Sequence, residues 1–248
     1  MRTWDPHGLQ HLRSIRRELD RIGLVGLAHE AIVEVWRSNS ARYEPEELFD
    51  DAFTLGVNST RNLANRLYAY ARGDERWRAT GVQASQEFGA TVLHTGGLDL
   101  RLVKAPSTAG RKPDFVADFD WQSGEMRHAA AARNRAAYGL PARRPSEPAL
   151  FEVELPDAAT AVRACRDLFL VWGADLTTGL TAGWLGLPTT TADRWIALAR
   201  LWWDEAATSQ RTDGASQTPA GDTPGFEDQP APVPTITLKP RRQEAGAP

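Results

Sequence analysis

The sequence predicts an α+β protein that is mostly helical, with a small central β-sheet and a disordered C-terminal tail. Apolar residues recur at helical spacing through residues 1–73, they alternate with polar residues between 98 and 121, and few large ones occur after 207. We therefore expect an N-terminal helical region (1–78), a small sheet with a basic helix (79–156), a C-terminal helical hairpin packed on the same core (157–207) and a disordered tail (208–248).

The N-terminal region is predicted to contain four helices. Apolar residues at helical spacing between Leu9 and Trp36 indicate the first two. Pro45 suits the first turn of a third helix, and Ser59 is a suitable N-cap for a fourth. The third and fourth helices together, over residues 47–73, have the outline of a helix-turn-helix motif.

The central region is predicted to form three half-buried strands and one helix, because apolar and polar residues alternate along each strand. The strands cover residues 98–102, 115–121 and 150–156, and the helix covers about 123–138. A further helix, capped by Asp157, carries Cys165 within an apolar stripe. Cys165 is the single cysteine, so we expect a core residue and no internal disulfide.

The segment LTAGWLGLPTTTADRWIALARLWW, residues 180–203, reads as two short helices joined at residues 186–188. A DNA-reading helix-turn-helix would present polar and basic residues from its second helix. The second helix predicted here is apolar on nearly all sides. A helical hairpin packed in the core is therefore favoured over a DNA-reading unit, with Trp195 as a core residue.

Composition and motifs exclude several classes of function. The formal net charge of −3 argues against a protein that coats nucleic acid by charge alone, although it permits a local basic patch. We expect a cytoplasmic protein without a membrane partner, because no signal peptide or membrane-spanning run is evident. The absence of a phosphate-binding loop, a metal-ligand signature and a nucleophile with an obvious base predicts no cofactor, no metal and no catalytic residue.

Two polar helix faces are candidate nucleic-acid interfaces. Arginine binds phosphate and guanine edges, and asparagine binds adenine edges, so faces rich in both suit DNA. The candidate residues are Arg61, Asn62, Asn65 and Arg66 on the first face, and Arg127, Arg133, Arg135, Arg143 and Arg144 on or after the second. We therefore expect a non-catalytic, DNA-associated regulator or accessory protein, whose partner is duplex DNA.

A protein-interaction module is the first alternative. The predicted tail contains one stretch, residues 231–242, in which apolar and β-branched residues gather among prolines. An extended segment of this kind can add as a strand to an exposed sheet edge. Ile236 and Leu238 would then fill pockets on the partner protein.

A metal-dependent nuclease is the second alternative. Asp118 and Asp120 share one face of the second predicted strand, and Glu152 and Glu154 share one face of the third, so neighbouring strands would place four carboxylates near a divalent cation. The pattern from Asp114 to Glu154 resembles that of nucleases of the restriction-endonuclease type. It departs from that pattern because Glu154 occupies the position of the expected lysine.

Overall fold

A computed structural model describes residues 4–87, 90–106, 112–121, 124–138 and 158–204. The helices in these residues are α1 (Pro6–Arg21), α2 (Leu24–Ser40), α3 (Ala52–Gly73), α4 (Glu75–Ala79), α5 (Glu125–Tyr138) and α6 (Ala158–Arg163). The strands are β1 (Gln83–Glu87), β2 (Ala90–Thr95), β3 (Leu98–Lys104), β4 (Asp167–Ala174), β5 (Thr181–Pro188) and β6 (Trp195–Trp203). All of these elements belong to one compact unit, Met1–Gln210.

The strands form one mixed sheet in the order β1-β2-β3-β4-β5-β6. Neighbouring strands are antiparallel except β3 and β4, which are parallel with Asp99 opposite Asp167. A parallel pair needs a crossover connection, and α5 lies within the segment that supplies it. The expectation of a mostly helical protein with a small central sheet is therefore wrong, because six strands run through the described part of the chain to its C-terminal end.

The sheet is packed on both faces. Helices α1, α2 and α3 cover one face with an aliphatic core that includes Leu12, Ile32, Leu67, Leu100 and Leu170. Helix α5 and the segment 112–121 lie on the opposite face, over an aromatic cluster made of Phe115, Phe119, Trp121, Phe169, Trp184 and Trp195. Helix α5 contacts β4 and β5, so it covers the C-terminal half of the sheet on this face.

The first two N-terminal helices are confirmed, whereas the third and fourth are a single helix that begins later than predicted. Residues 45–48 form turns, and Phe49 takes a left-handed conformation with φ of 56°. Helix α3 begins after Asp51, whose Oδ1 accepts the backbone N–H of Thr54 at 2.6 Å. It continues past Ser59 without a break, so residues 47–73 contain no helix-turn-helix motif.

The predicted C-terminal helical hairpin is a β-hairpin made of β5 and β6. A segment buried on both faces is apolar throughout, and that pattern does not distinguish a central strand from a buried helix. Two glycines of β5 make room for tryptophan rings of β6. A Cβ at Gly183 or Gly186 would overlap the ring of Trp202 or Trp195 respectively, so these glycines leave room for cross-strand tryptophans.

In the central region, β3 and α5 confirm the first predicted strand and the predicted helix. The predicted strand at 115–121 is wrong: these residues form turns in which Asp114 Oδ1 accepts the backbone N–H groups of Val116 and Ala117. Phe115 and Phe119 stack with ring centroids 5.5 Å apart. The spacing of these aromatic residues in the sequence therefore comes from a turn and not from a strand. The predicted strand at 150–156 lies outside the described residues.

Cys165 is buried, as expected, but the helix predicted around it is wrong. Helix α6 ends at Arg163, and β4 begins at Asp167. Burial raises the pKa of the Cys165 thiol to about 12, so the thiol is protonated at neutral pH. The predicted tail, with Ile236 and Leu238, lies outside the described residues.

Candidate functional site

The polar face predicted on α3 is largely engaged within the helical layer. Asn62 Nδ2 donates to Asn39 Oδ1 on α2 at 2.7 Å, and Arg66 Nη1 lies 2.6 Å from Glu34 Oε1 on the same helix. Arg61 and Asn65 are exposed. Two of the four predicted DNA-contacting residues of this face therefore connect α3 to α2.

Helix α5 is fixed to the sheet by one buried asparagine. Asn134 Nδ2 donates to the carbonyl oxygens of Asp167 at 2.7 Å and Pro188 at 3.1 Å. Its Oδ1 accepts the backbone N–H of Asp167 at 3.2 Å. These bonds link α5 to the start of β4 and the end of β5, and so determine where the neighbouring arginines lie.

The buried carboxylate of Asp167 holds two arginines. Arg133 Nε and Nη2 donate to its two oxygens at 2.9 and 2.6 Å, and Arg101 Nη1 donates to Oδ1 at 2.6 Å. The hydrogen bond to Asp167 raises the pKa of Arg133. The Arg133 side chain is nevertheless 53% exposed, whereas that of Arg101 is 7% exposed. Arg133 is therefore anchored at one edge of its guanidinium and open to solvent elsewhere.

Other arginines extend the basic surface around Arg133. Arg135 is exposed, and its Nη1 donates to Thr190 Oγ1 at 3.2 Å. Arg163 at the end of α6 and Arg166 before β4 are also exposed, and α6 contacts both α5 and α1. We call Arg133, Arg135, Arg163 and Arg166 the arginine surface.

Two residues of the arginine surface, Arg163 and Arg166, lie close enough to His11 to act on its charge. Burial lowers the pKa of His11 on α1, and the positive charges of Arg163 and Arg166 lower it further. Arg163 and Arg166 were missed as site residues because their segment was predicted to be a core helix. The sequence does show two arginines close together, one on each side of Cys165, and this local positive charge was the available signal.

The remaining predicted site residues are not brought together. Arg127 lies in the first turn of α5, and Arg143 and Arg144 lie outside the described residues. Asp118 and Asp120 lie in turns instead of on a strand face, and Asp118 Oδ2 accepts the backbone N–H of Asp114 at 2.8 Å. Glu152 and Glu154 lie outside the described residues.

Within the described ranges, no group of three or more His, Cys, Asp or Glu side chains is arranged to hold a metal ion. No helix in the same part of the chain is long and apolar enough to cross a membrane.

Comparison with known proteins gives no match: no family model, no curated protein and no solved structure is similar to this chain.

Proposed function

We propose that this protein associates with nucleic acid as a regulator or accessory factor, and that the arginine surface contacts the phosphate backbone. One observation carries the proposal. Arg133 is held by a buried carboxylate while about half of its side chain faces solvent. Exposed Arg135 lies on the same helix, and exposed Arg163 and Arg166 lie at the end of α6 and directly before β4.

An anchored arginine is well suited to bind phosphate. Its planar guanidinium has five N–H donors, of which Asp167 takes two, on one edge. The hydrogen bonds to Asp167 restrict the side chain before any ligand binds. Less conformational entropy is then lost when the remaining donors meet a phosphate.

The net charge of the chain does not conflict with this proposal. The total of −3 is an average over the whole sequence, whereas phosphate contacts depend on local charge. Near Arg133, Asp167 is already engaged by two arginines, and Glu87 and Asp99 lie 3.6 and 3.8 Å from Arg101 Nη2. Such pairing reduces the repulsion that these carboxylates would exert on a polyanion.

A salt titration with random duplex DNA tests the proposal. Binding at low salt should weaken linearly on a log–log plot as salt rises, with a slope of about 0.9 per phosphate contacted. The double variant Arg163→Ala/Arg166→Ala should reduce that slope by about two units if each arginine contacts one phosphate. No binding at low salt, or a slope unchanged in the double variant, contradicts the proposal.

A protein-interaction module is a second candidate, supported by an exposed apolar patch. The side chains of Leu48, Phe49, Phe53 and Val57 are 68%, 85%, 77% and 49% exposed. Such a cluster on a folded domain is typical of a protein-binding surface. Phe49 also has a positive φ, which non-glycine residues rarely adopt and which is common at functional sites.

Site-specific crosslinking tests the second candidate. A photo-crosslinking amino acid at position 53 should give a discrete protein adduct in cells. The same amino acid at Arg78, which is exposed on α4, should not. The absence of an adduct at position 53, or the same adduct at both positions, contradicts this role.

A further inference from the structure

Three polar side chains lie next to one another on the half of the sheet that α5 leaves open. Ser85 is on β1, His94 on β2 and Asp99 on β3. His94 is directly opposite Asp99 and also opposite Gln83, which lies two residues before Ser85 and on the same face. The three side chains therefore project from the same face of neighbouring strands.

The histidine is in hydrogen-bond contact with both other side chains, one at each ring nitrogen. Ser85 Oγ is 2.7 Å from His94 Nε2, and His94 Nδ1 is 2.8 Å from Asp99 Oδ1. When Nδ1 carries the proton, it donates to Asp99, and Nε2 is free to accept the proton of the serine hydroxyl. This is the order of contacts that activates a serine nucleophile in serine hydrolases, which is recognised by geometry and not by position in a sequence.

The group is also accessible to a substrate. The side chains of His94 and Asp99 are 35% and 38% exposed, and Ser85 is partly exposed. In the described sheet, β1 is an edge strand, so the nucleophile lies near the margin of the sheet. A polar cluster that served only within the core would be shielded from solvent.

A positive charge lies beside the histidine–aspartate pair. Arg101 Nη2 is 3.8 Å from Asp99 Oδ2 and 3.6 Å from Glu87 Oε2. Its Nε is buried and makes no hydrogen bond within the described structure. A buried donor without a partner is unusual, and it places an unused N–H close to the serine–histidine–aspartate group.

We propose that Ser85, His94 and Asp99 form an acyl-transfer site that hydrolyses small carboxylic esters. Ser85 Oγ is the nucleophile, His94 is the general base and then the general acid, and Asp99 is a positioning residue that holds the imidazole. This activity is separate from the proposed binding of nucleic acid, and neither depends on the other.

The reaction balances with water as the second substrate. Ser85 Oγ forms a bond to the ester carbonyl carbon while its proton moves to His94 Nε2. The bond from that carbon to the alkoxy oxygen breaks, and the alcohol leaves with the proton from Nε2. Water then attacks the acyl-serine, gives one proton to Nε2, and releases the carboxylic acid as Ser85 Oγ regains that proton.

The direct test is covalent labelling of the full-length protein with a fluorophosphonate, together with p-nitrophenyl acetate turnover. We expect the label on Ser85 by mass spectrometry and none in Ser85→Ala. His94→Gln should label at least about 100-fold more slowly, since general base catalysis contributes on that order. Gln83→Ala is the matched control, because Gln83 is exposed on the same strand and face, and it should label normally.

Asp99 needs a measurement that a purely structural role would not change. The native labelling rate should rise with pH, because only a neutral imidazole accepts the proton of the serine hydroxyl. Asp99→Asn should lower the rate and change this pH profile, while the melting temperature of the folded variant remains close to that of Gln83→Ala. The other charged groups around Asp99 include Glu87, Arg101, Arg133 and Asp167, which is opposite Asp99 on β4, and the variants keep all of them.

Three results would overturn the proposal. The first is no labelling of the native protein, and the second is equal labelling of Ser85→Ala. The third is a pH profile that is the same in His94→Gln as in the native chain. Any of these would leave a cross-strand hydrogen-bond ladder with a structural role only.

Discussion

Helices α3 and α5 both present arginines and asparagines, yet the two surfaces differ in what those side chains bind. On α3, Arg66 contacts the exposed Glu34 of α2, and Asn62 contacts the amide of the buried Asn39 on the same helix. On α5, Asn134 and Arg133 contact a buried backbone segment and a buried carboxylate, while the guanidinium remains half exposed. Arginine content alone therefore does not identify a binding surface. The two surfaces are distinguished by whether the carboxylate that pairs with the arginine is buried or exposed.

The anchoring carboxylate explains the difference. Glu34, the partner of Arg66, is 56% exposed, so water competes for both members of that pair. Asp167 is 4% exposed and is shared by two guanidinium groups. Breaking a buried pair leaves an uncompensated charge, whereas breaking an exposed pair does not.

The largest expected effect concerns the core on which α5 rests. Ala130 and Ala131 of α5 belong to the same cluster as Trp195, whose Nε1 donates to the carbonyl oxygen of Phe115 at 2.7 Å. Trp195→Ala should lower the free energy of unfolding by about 3–5 kcal/mol, measured by urea denaturation. Thr190→Ala is the control and should change it by less than about 0.5 kcal/mol. Similar losses in both variants would contradict the assignment of Trp195 to the core.

The second-largest effect is expected from removing the carboxylates that pair with these arginines, Asp167 and Glu34. Asp167→Asn should lower the free energy of unfolding by about 3 kcal/mol, because two arginines lose a buried negative charge. Glu34→Gln should cost less than about 1 kcal/mol, as is usual for an exposed pair. Urea denaturation of the two variants side by side measures both. Equal losses of unfolding free energy in the two variants would contradict the distinction between a buried and an exposed counter-charge.

The two asparagines provide a smaller version of the same comparison. Asn134→Ala should cost about 2 kcal/mol, because it leaves the buried N–H of Asp167 and two buried carbonyls without their partner. Asn62→Ala removes a single bond to one oxygen of the buried Asn39 and should cost about 1 kcal/mol. Thermal unfolding of both variants measures the two losses. A loss in Asn62→Ala equal to or larger than that in Asn134→Ala would contradict the role of Asn134 in fixing α5.

The smallest effect is a pH dependence at the arginine surface. The folded protein holds His11 with a lowered pKa, so the unfolded chain binds the proton more readily. The stability that neutral His11 contributes is present above about pH 6.5 and is lost as the pH falls through its folded pKa. His11→Gln should flatten this part of the melting-temperature profile between pH 5 and 8, and His7→Gln, at an exposed position of the same helix, is the matched control. Identical profiles for the two variants would contradict a lowered pKa of the buried His11.

Much of the local structure was predictable from the sequence. Helices α1, α2 and α5 and strand β3 follow apolar periodicities that their burial preserves. Strands β4, β5 and β6 were not predictable in this way, because burial on both faces removes the alternation that identifies a strand. The aromatic spacing of residues 115–121 was misleading, since these side chains are buried from turns.

The candidate sites were predictable only in part. Arg133 and Arg135 stand out in an acid-poor helix, but Asp167 is 34 residues from Arg133 and 66 from Arg101 in the chain. Ser85, His94 and Asp99 are close in sequence, yet their alignment depends on the registers of two strand pairs. Register is a property of the whole sheet, so neither arrangement can be derived from local spacing.

The most direct test of the proposed function compares two double variants in the same DNA titration. Arg163→Ala/Arg166→Ala and Arg61→Ala/Arg66→Ala each remove two positive charges, one pair from the arginine surface and one from α3. We predict that the first reduces the salt slope of duplex DNA binding by about two units and that the second leaves it unchanged. A reduced slope only in the α3 variant, or the same slope in both variants and the native protein, would contradict the account.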